Sequence, residues 1–210
     1  MADYTTTTDI KADVPDSPLF ASTDTTYDTV LGAMITAASR LIDAEVGRWP
    51  NFFYPTTDDA TRYFDGSGEA EQYIDEMVSL TSVSVAESGG TGASDYTAWT
   101  QNTDFYVWPY EYSQLTQPIQ QLVVDWNGSK AKWPRWRKSV KVTGIFGYST
   151  TPPADIAQAC KIQAMRWFMR AKQGYQDASA SPEIGQMLYL QQLDPDIKEL
   201  LRKYQIGNMT

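Results

Sequence analysis

Apolar positions recur with the helical period from Thr29 to Val46. At about 100° per residue, Val30, Leu31, Met34, Ile35, Ala38, Leu41, Ile42 and Val46 share one broad arc, and Arg40 and Asp43 fall outside it. Ala33, Ala37 and Ala44 add a small-residue flank where another helix can approach closely. Gly47 and Pro50 stop the element. The compact aromatic knot WPNFFYP follows and reads as a packed loop.

From Arg62 to about Tyr148 the period shortens to two. TRYFDGSG ends in a turn, and YIDEMVSLTSVSVAESGGTG alternates Val83 and Val85 with serine. DFYVWPYEY, IQQLVVDWNGSKAKWPRW and VKVTGIFGY supply further strands, and Asn127-Gly128 between two runs is a hairpin cue. About four to six antiparallel strands are expected.

The helical period returns at Pro153, with Asp155 in the first turn. Ile156, Cys160, Ala164, Trp167, Phe168 and Ala171 share one face. Ile162, Met165 and Met169 form a second apolar strip flanked by Lys161 and Lys172. A helix apolar on two sides needs two partners: the 29–46 helix and a neighbouring subunit. After the small-residue stretch YQDASASPEIGQ, the segment LDPDIKELLRKYQ reads as a short helix. Asp194 is its N-cap, Pro195 its first position, and Ile197, Leu200, Leu201 and Tyr204 its apolar face.

The expected fold is α+β: a small helical core of two long helices plus a C-terminal helix, carrying an inserted antiparallel β-domain. Its parts are an acidic extended arm (1–28), the helical core (29–60 and 149–175), the β-domain (61–148) and a C-terminal tail (176–210). The arm combines Asp3, Asp9, Asp13, Asp16, Asp24 and Asp28 with Lys11, Pro15 and Pro18, a composition that reads either as a floppy terminus, the favoured reading, or as an extended or disordered arm that orders only against a partner.

Charge and composition narrow the chemistry. The 210 residues carry 26 acidic and 17 basic side chains, a net charge of −9, and no histidine. The commonest general base and metal ligand is thereby missing, and the single Cys160 on a helical face reads as a buried small hydrophobe. No Ser/Cys–His triad is available, no catalytic or metal residue is assigned, and no cofactor is expected. Apolar runs are too short to cross a membrane, and the acidic first residues read as neither secretory signal nor transit peptide.

Local motifs point away from small-molecule sites. The junction GIFGYSTTPPADIAQA has the order of a phosphate cradle, but Pro152 and Pro153 remove N–H donors, Asp155 adds negative charge, and no lysine follows the glycines. In YFDGSGEAE, Asp65, Ser67 and Glu69 alternate like calcium ligands without the distal acids, so a hairpin turn is the better reading. Pairs such as Asp58–Asp59 offer a glycosidase nothing that fixes their separation.

Two surface features remain. The basic cluster KAKWPRWRKSVK interleaves Lys130, Lys132, Arg135, Arg137, Lys138 and Lys141 with Trp133 and Trp136. It reads either as a partner contact, with an acidic protein favoured over DNA, or as a hairpin with solvated cations. Tyr96, Trp99, Tyr106, Trp108, Tyr110 and Tyr112 are either sheet packing or a stacking platform of a carbohydrate-binding module.

Four stretches, by their order and spacing, resemble the head–tail connector (adaptor) proteins of long-tailed bacteriophages and related gene-transfer particles. They are ITAASRLIDAEVGRWPNFFY (35–54), RYFDGSG (62–68), VKVTGIFGYSTTPPADIAQACKIQAMRWFMR (140–170) and LDPDIKELLRKYQ (193–205). The resemblance implies a non-enzymatic virion protein, made in the host cytoplasm. Family members form a ring, generally of twelve subunits, beneath the portal. The ring extends the DNA channel without sequence-specific binding and docks the stopper or tail-completion protein. It further implies portal docking by the tail residues Asp194, Pro195, Ile197, Leu200, Leu201 and Tyr204. The large Trp-rich β insert and the acidic arm depart from the family pattern.

Overall fold

The computed structural model describes residues 3–13, 25–88, 95–115, 117–172, 178–180, 187–189, 193 and 195–205. Among them, in chain order, are α1 (Thr7–Asp13), α2 (Asp28–Glu45), β1 (Ala60–Phe64), β2 (Glu71–Val85), β3 (Thr97–Trp99), β4 (Phe105–Trp108), α3 (Tyr112–Leu115), β5 (Ile119–Val124), β6 (Val140–Phe146), α4 (Ala154–Lys172), β7 (Ala178–Ala180), β8 (Met187–Tyr189) and α5 (Pro195–Leu201). A 3-10 turn, Arg202–Tyr204, continues α5. The chain divides into two units: Met1–Phe53 with Pro152–Thr210, and Tyr54–Thr151.

In the first unit α2 packs against α4, and α4 against α5. The buried side of α2 is Leu31, Ile35, Ala38, Ser39, Ile42 and Asp43, continued by Val46. Val30 is exposed, and Asp43, read as outside the arc, is inside. That rotation has a cause in α1. The stretch expected to be an extended arm contains a helix, and both Ile10 within it and Tyr4 just before it are fully buried. Thr6 and Asp9 cap its start reciprocally: the Thr6 N–H donates to the Asp9 carboxylate at 3.0 Å, and the Asp9 N–H to the Thr6 hydroxyl at 3.1 Å. Two apolar anchors on a prebuilt helix surface outweigh the polar composition around them.

Helices therefore exceed the three expected, with α1 and the single turn α3 added. The small-residue stretch after α4 also differs from expectation: β7 and β8 pair there as a two-stranded antiparallel sheet. Helix α4 starts at Ala154, one residue later than expected, and the Pro153 carbonyl accepts the Ala157 N–H at 2.9 Å.

The second unit is an antiparallel sheet in the order β1-β6-β2-β5-β4, with β3 on the far end of β2. Its apolar strand positions are those of the alternation: Val83 and Val85 on β2, Val140 and Val142 on β6. Strand order departs from the local cues. Asn127-Gly128 lies in a turn, where the Gly128 N–H donates to the Asp125 carbonyl at 3.0 Å, yet β5 and β6 lie on opposite sides of β2 and make no hairpin. Likewise, residues 65–70 join β1 to β2 across the end of β6 instead of closing a hairpin. The β2–β6 register shifts between Met77 and Ser79 and again between Leu80 and Ser82. Gly144 of β6 lies opposite this irregular stretch, where a Cβ would strike the Ser79 carbonyl oxygen.

Candidate functional site

Residues three and four apart on a helix share a face, so Ile162, Met165 and Met169 form one strip along α4. The other face (Ile156, Ala159, Cys160, Gln163, Ala164, Phe168) is buried. Ile162 and Met165 are half-buried and Met169 is 41% exposed. The flanking lysines turn away to their own unit: Lys161 pairs with Asp13 at 2.8 Å, and Lys172 sits 4.6 Å from the Tyr27 ring centre. What remains open is an adaptable thioether and aliphatic surface suited to a packed contact.

The tail residues divide differently from expectation. Asp194 lies outside the described residues. Pro195 is exposed and Leu200 half-buried. Ile197 and Leu201, expected to grip a partner, are fully buried, and their helix packs on α4. Tyr204 is also engaged internally: its hydroxyl donates to the Asp155 carboxylate at 2.9 Å, and its ring meets Phe53 edge to face at 4.9 Å. These three side chains serve the unit's own core because the helix's apolar face finds a ready partner in α4. The outward positions of α5 are Pro195, Asp196, Lys198 and Glu199.

Asp155 ties this tail down. Its carboxylate accepts the Ile156 N–H at 3.0 Å, and the Lys203 ammonium lies 2.5 Å away. An incoming anion would meet a carboxylate at this helix start, which is physically opposed to a phosphate cradle. Partial burial pushes the Asp155 carboxyl up, but the bonds from Lys203 and Tyr204 outweigh it and hold it below its ordinary 3.8. A depressed folded-state value means that the stabilisation is present above 3.8 and lost as pH falls through the lower folded value. Asp155→Asn is expected to speed amide exchange in α5 several-fold at neutral pH, and the difference from the native chain is expected to shrink below pH 3.8.

A buried polar cluster in the same unit escaped the sequence reading. The Tyr4 hydroxyl donates to Asp43, and the Tyr4 N–H to the Ser39 hydroxyl at 3.1 Å. Asp43 also accepts the Asn51 N–H at 3.0 Å and lies 3.2 Å from the Arg40 guanidinium. Burial and the Asp43 carboxylate push the Tyr4 hydroxyl up, so it stays a proton donor. Cys160 lies 3.4 Å from Ser39, its thiol pushed up to about 11 by burial, which keeps it unreactive. The legible signal was Ser39 and Asp43 four residues apart on one helix, a spacing that presents both to one neighbour.

In the second unit the basic loop is rigidly held. Trp133 is fully buried, stacked on Trp99 at 4.6 Å, and its backbone N–H donates to the Glu69 carbonyl at 2.8 Å. The Gly66 N–H donates to the Trp136 carbonyl at 2.9 Å, and the Lys138 N–H to Asp65 at 2.8 Å. Asp65 thus fastens a loop. Lys130 is spent on Glu87, but Lys132, Arg135, Arg137 and Lys138 project as exposed side chains. The aromatic residues do not converge on a flat platform: Trp99 is buried, and Trp108 and Tyr110 meet at 88°. Trp108 and Tyr110 therefore share no common flat face.

Among the described residues no group of three or more acidic or cysteine side chains is placed to hold a metal ion, and no helix is long and apolar enough to cross a membrane. No known protein family matches the sequence, and no curated protein does. Solved structures do match the fold. A chain in the virion of a native gene transfer agent particle aligns with a TM-score of 0.54 at 12% identity, over 97% of this chain and 90% of that one. A chain in the neck of an empty gene transfer agent particle, computed with C6 symmetry, aligns with a TM-score of 0.51 at 12% identity, over 87% and 81%. The similarity in fold extends over nearly the whole chain.

Proposed function

We propose that the protein is a non-enzymatic adaptor of the head–tail interface of a virion or gene-transfer particle, forming a ring of about twelve copies beneath the portal. One observation carries this reading: the fold is similar to that of a virion chain over 97% of this chain and 90% of that one, so the likeness is to a whole subunit and not to a local motif. The half-open strip Ile162, Met165 and Met169 supports it, because a methionine-rich helix face beside a buried one is suited to a sister copy. The acidic balance suits a channel through which DNA slides without being held. Portal docking is assigned to the outward part of the tail, Pro195 with half-buried Leu200, while Ile197, Leu201 and Tyr204 hold the tail in shape.

Met165→Glu with Met169→Glu tests the ring. Both positions are partly exposed, so the melting temperature of the isolated chain is expected to fall by only a few degrees, while rings on isolated portal complexes disappear from electron micrographs. Rings that persist in the double variant would overturn the assignment of this face.

A further inference from the structure

We propose that the groove between the basic loop and the Gly68–Glu69 turn binds an acidic peptide segment of a partner protein, whose carboxylates are held by Lys132 and Arg135. The groove measures about 490 Å³, within the range of ligand-binding clefts. Lys132, Pro134, Arg135 and Trp136 line it together with Gly68.

Three features give it a preference. The first is charge. Lys11, Arg62, Lys130, Lys161 and Lys203 each pair with a carboxylate of this acid-rich chain. Among the described residues Lys132, Arg135, Arg137 and Lys138 have no such partner, so four cations without a carboxylate lie together in one short loop. Second, the groove is already formed. Trp136 is pinned through its indole N–H to the Glu87 carbonyl at 3.2 Å, and Gly66 lies so close that a Cβ there would collide with the Pro134 carbonyl oxygen. Little ordering is left to be done on binding. Third, the lining is mixed. The half-exposed Trp136 ring offers an apolar wall for methylenes, and the Arg135 guanidinium matches a carboxylate in two-pronged fashion.

Two carboxylates also line the groove, and they separate a peptide from nucleic acid. Glu87 is neutralised by Lys130, whose hydrogen bond holds it below its ordinary range. Glu69 is exposed, and it would face a phosphate of a continuous polyanion, whereas a peptide can present carboxylates one at a time. The chain's net charge of −9 opposes a polyphosphate further. This chemistry does not depend on ring formation, and its test is read on the isolated chain.

Fluorescein-labelled hexaglutamate is titrated with the full chain at low ionic strength, and anisotropy reports binding. Saturable binding is expected, weakened at least tenfold by Lys132→Ala with Arg135→Ala, and less than threefold by Arg137→Ala with Lys138→Ala outside the groove. Near-UV circular dichroism checks that each variant keeps its aromatic packing, and Arg135→Gln alone provides a milder second probe. Absence of binding, equal losses in the two double variants, or tighter binding of a labelled hexathymidylate that is lost in the same variants would each overturn the proposal.

Discussion

Trp133→Ala is expected to destabilise the sheet unit by about 4 kcal/mol, the usual cost of deleting a large buried aromatic. The indole has no exposed surface, stacks on Trp99 at 4.6 Å with planes 29° apart, and lies 5.9 Å from Phe105. Truncation leaves a cavity bordered by two other aromatics, which cannot collapse without breaking the β2–β3 pairing that positions Trp99. Trp133→Phe is the informative companion. The buried indole N–H has no hydrogen-bond partner among the described residues, an arrangement that costs about 1–3 kcal/mol. Phenylalanine loses apolar area but removes that penalty, so its net effect is expected to stay within about 1.5 kcal/mol. Urea denaturation followed by near-UV circular dichroism measures both. A loss below about 1 kcal/mol for the alanine variant would mean that the loop is anchored by its backbone bonds alone.

Tyr4→Ala carries the second large effect, about 3–5 kcal/mol in the helical unit. Tyr4 is 1% exposed, its ring packs edge to face on Phe53 at 5.7 Å, and its hydroxyl both donates to Asp43 and accepts the Phe53 N–H at 3.3 Å. Removing the side chain leaves Asp43 buried beside Arg40 with one donor fewer, and it cuts the bond between the first residues and the loop after α2. Tyr4→Phe keeps the ring and isolates the hydroxyl, with an expected loss of about 1.5–3 kcal/mol, typical of a hydrogen bond to a charged group. Thermal denaturation together with amide exchange in α1 distinguishes the two: the alanine variant frees α1 locally, the phenylalanine variant mainly lowers the melting temperature.

Helical period made α2, α4 and α5 legible within a residue or two, because a stripe of apolar side chains is a local property. The longer strands β1, β2, β4, β5 and β6 were legible for the same reason, whereas the three-residue strands β3, β7 and β8 are too short to show a period. The order of the strands was not legible, because pairing is decided by contacts far apart in sequence. The Asn127-Gly128 turn is present, but the loop after it is captured by Glu69 and Gly66 on the other side of the sheet, which carries the chain past β2 before β6 begins. The same limit hid α1. Its composition resembles a disordered segment, and only the groove on α2, with Ser39 and Asp43 at its floor, turns Tyr4 and Ile10 into anchors. At the candidate site the exposed strip of α4 could be read from period alone. The buried state of Ile197 and Leu201 could not, since an apolar helix face looks the same whether it meets its own chain or another.

The helical unit is assembled from two stretches of chain, Met1–Phe53 and Pro152–Thr210, whereas the sheet unit is one uninterrupted stretch, Tyr54–Thr151. During synthesis this imposes an order of events. The sheet unit can close as soon as its last strand leaves the ribosome, while Ile35, Ala38 and Ile42 wait for α4, which at about 5–20 residues per second arrives many seconds later. Through that interval a nascent chain carries a sticky, half-built helix surface, a place where chaperones would bind and where crowded polysomes would be prone to tangle.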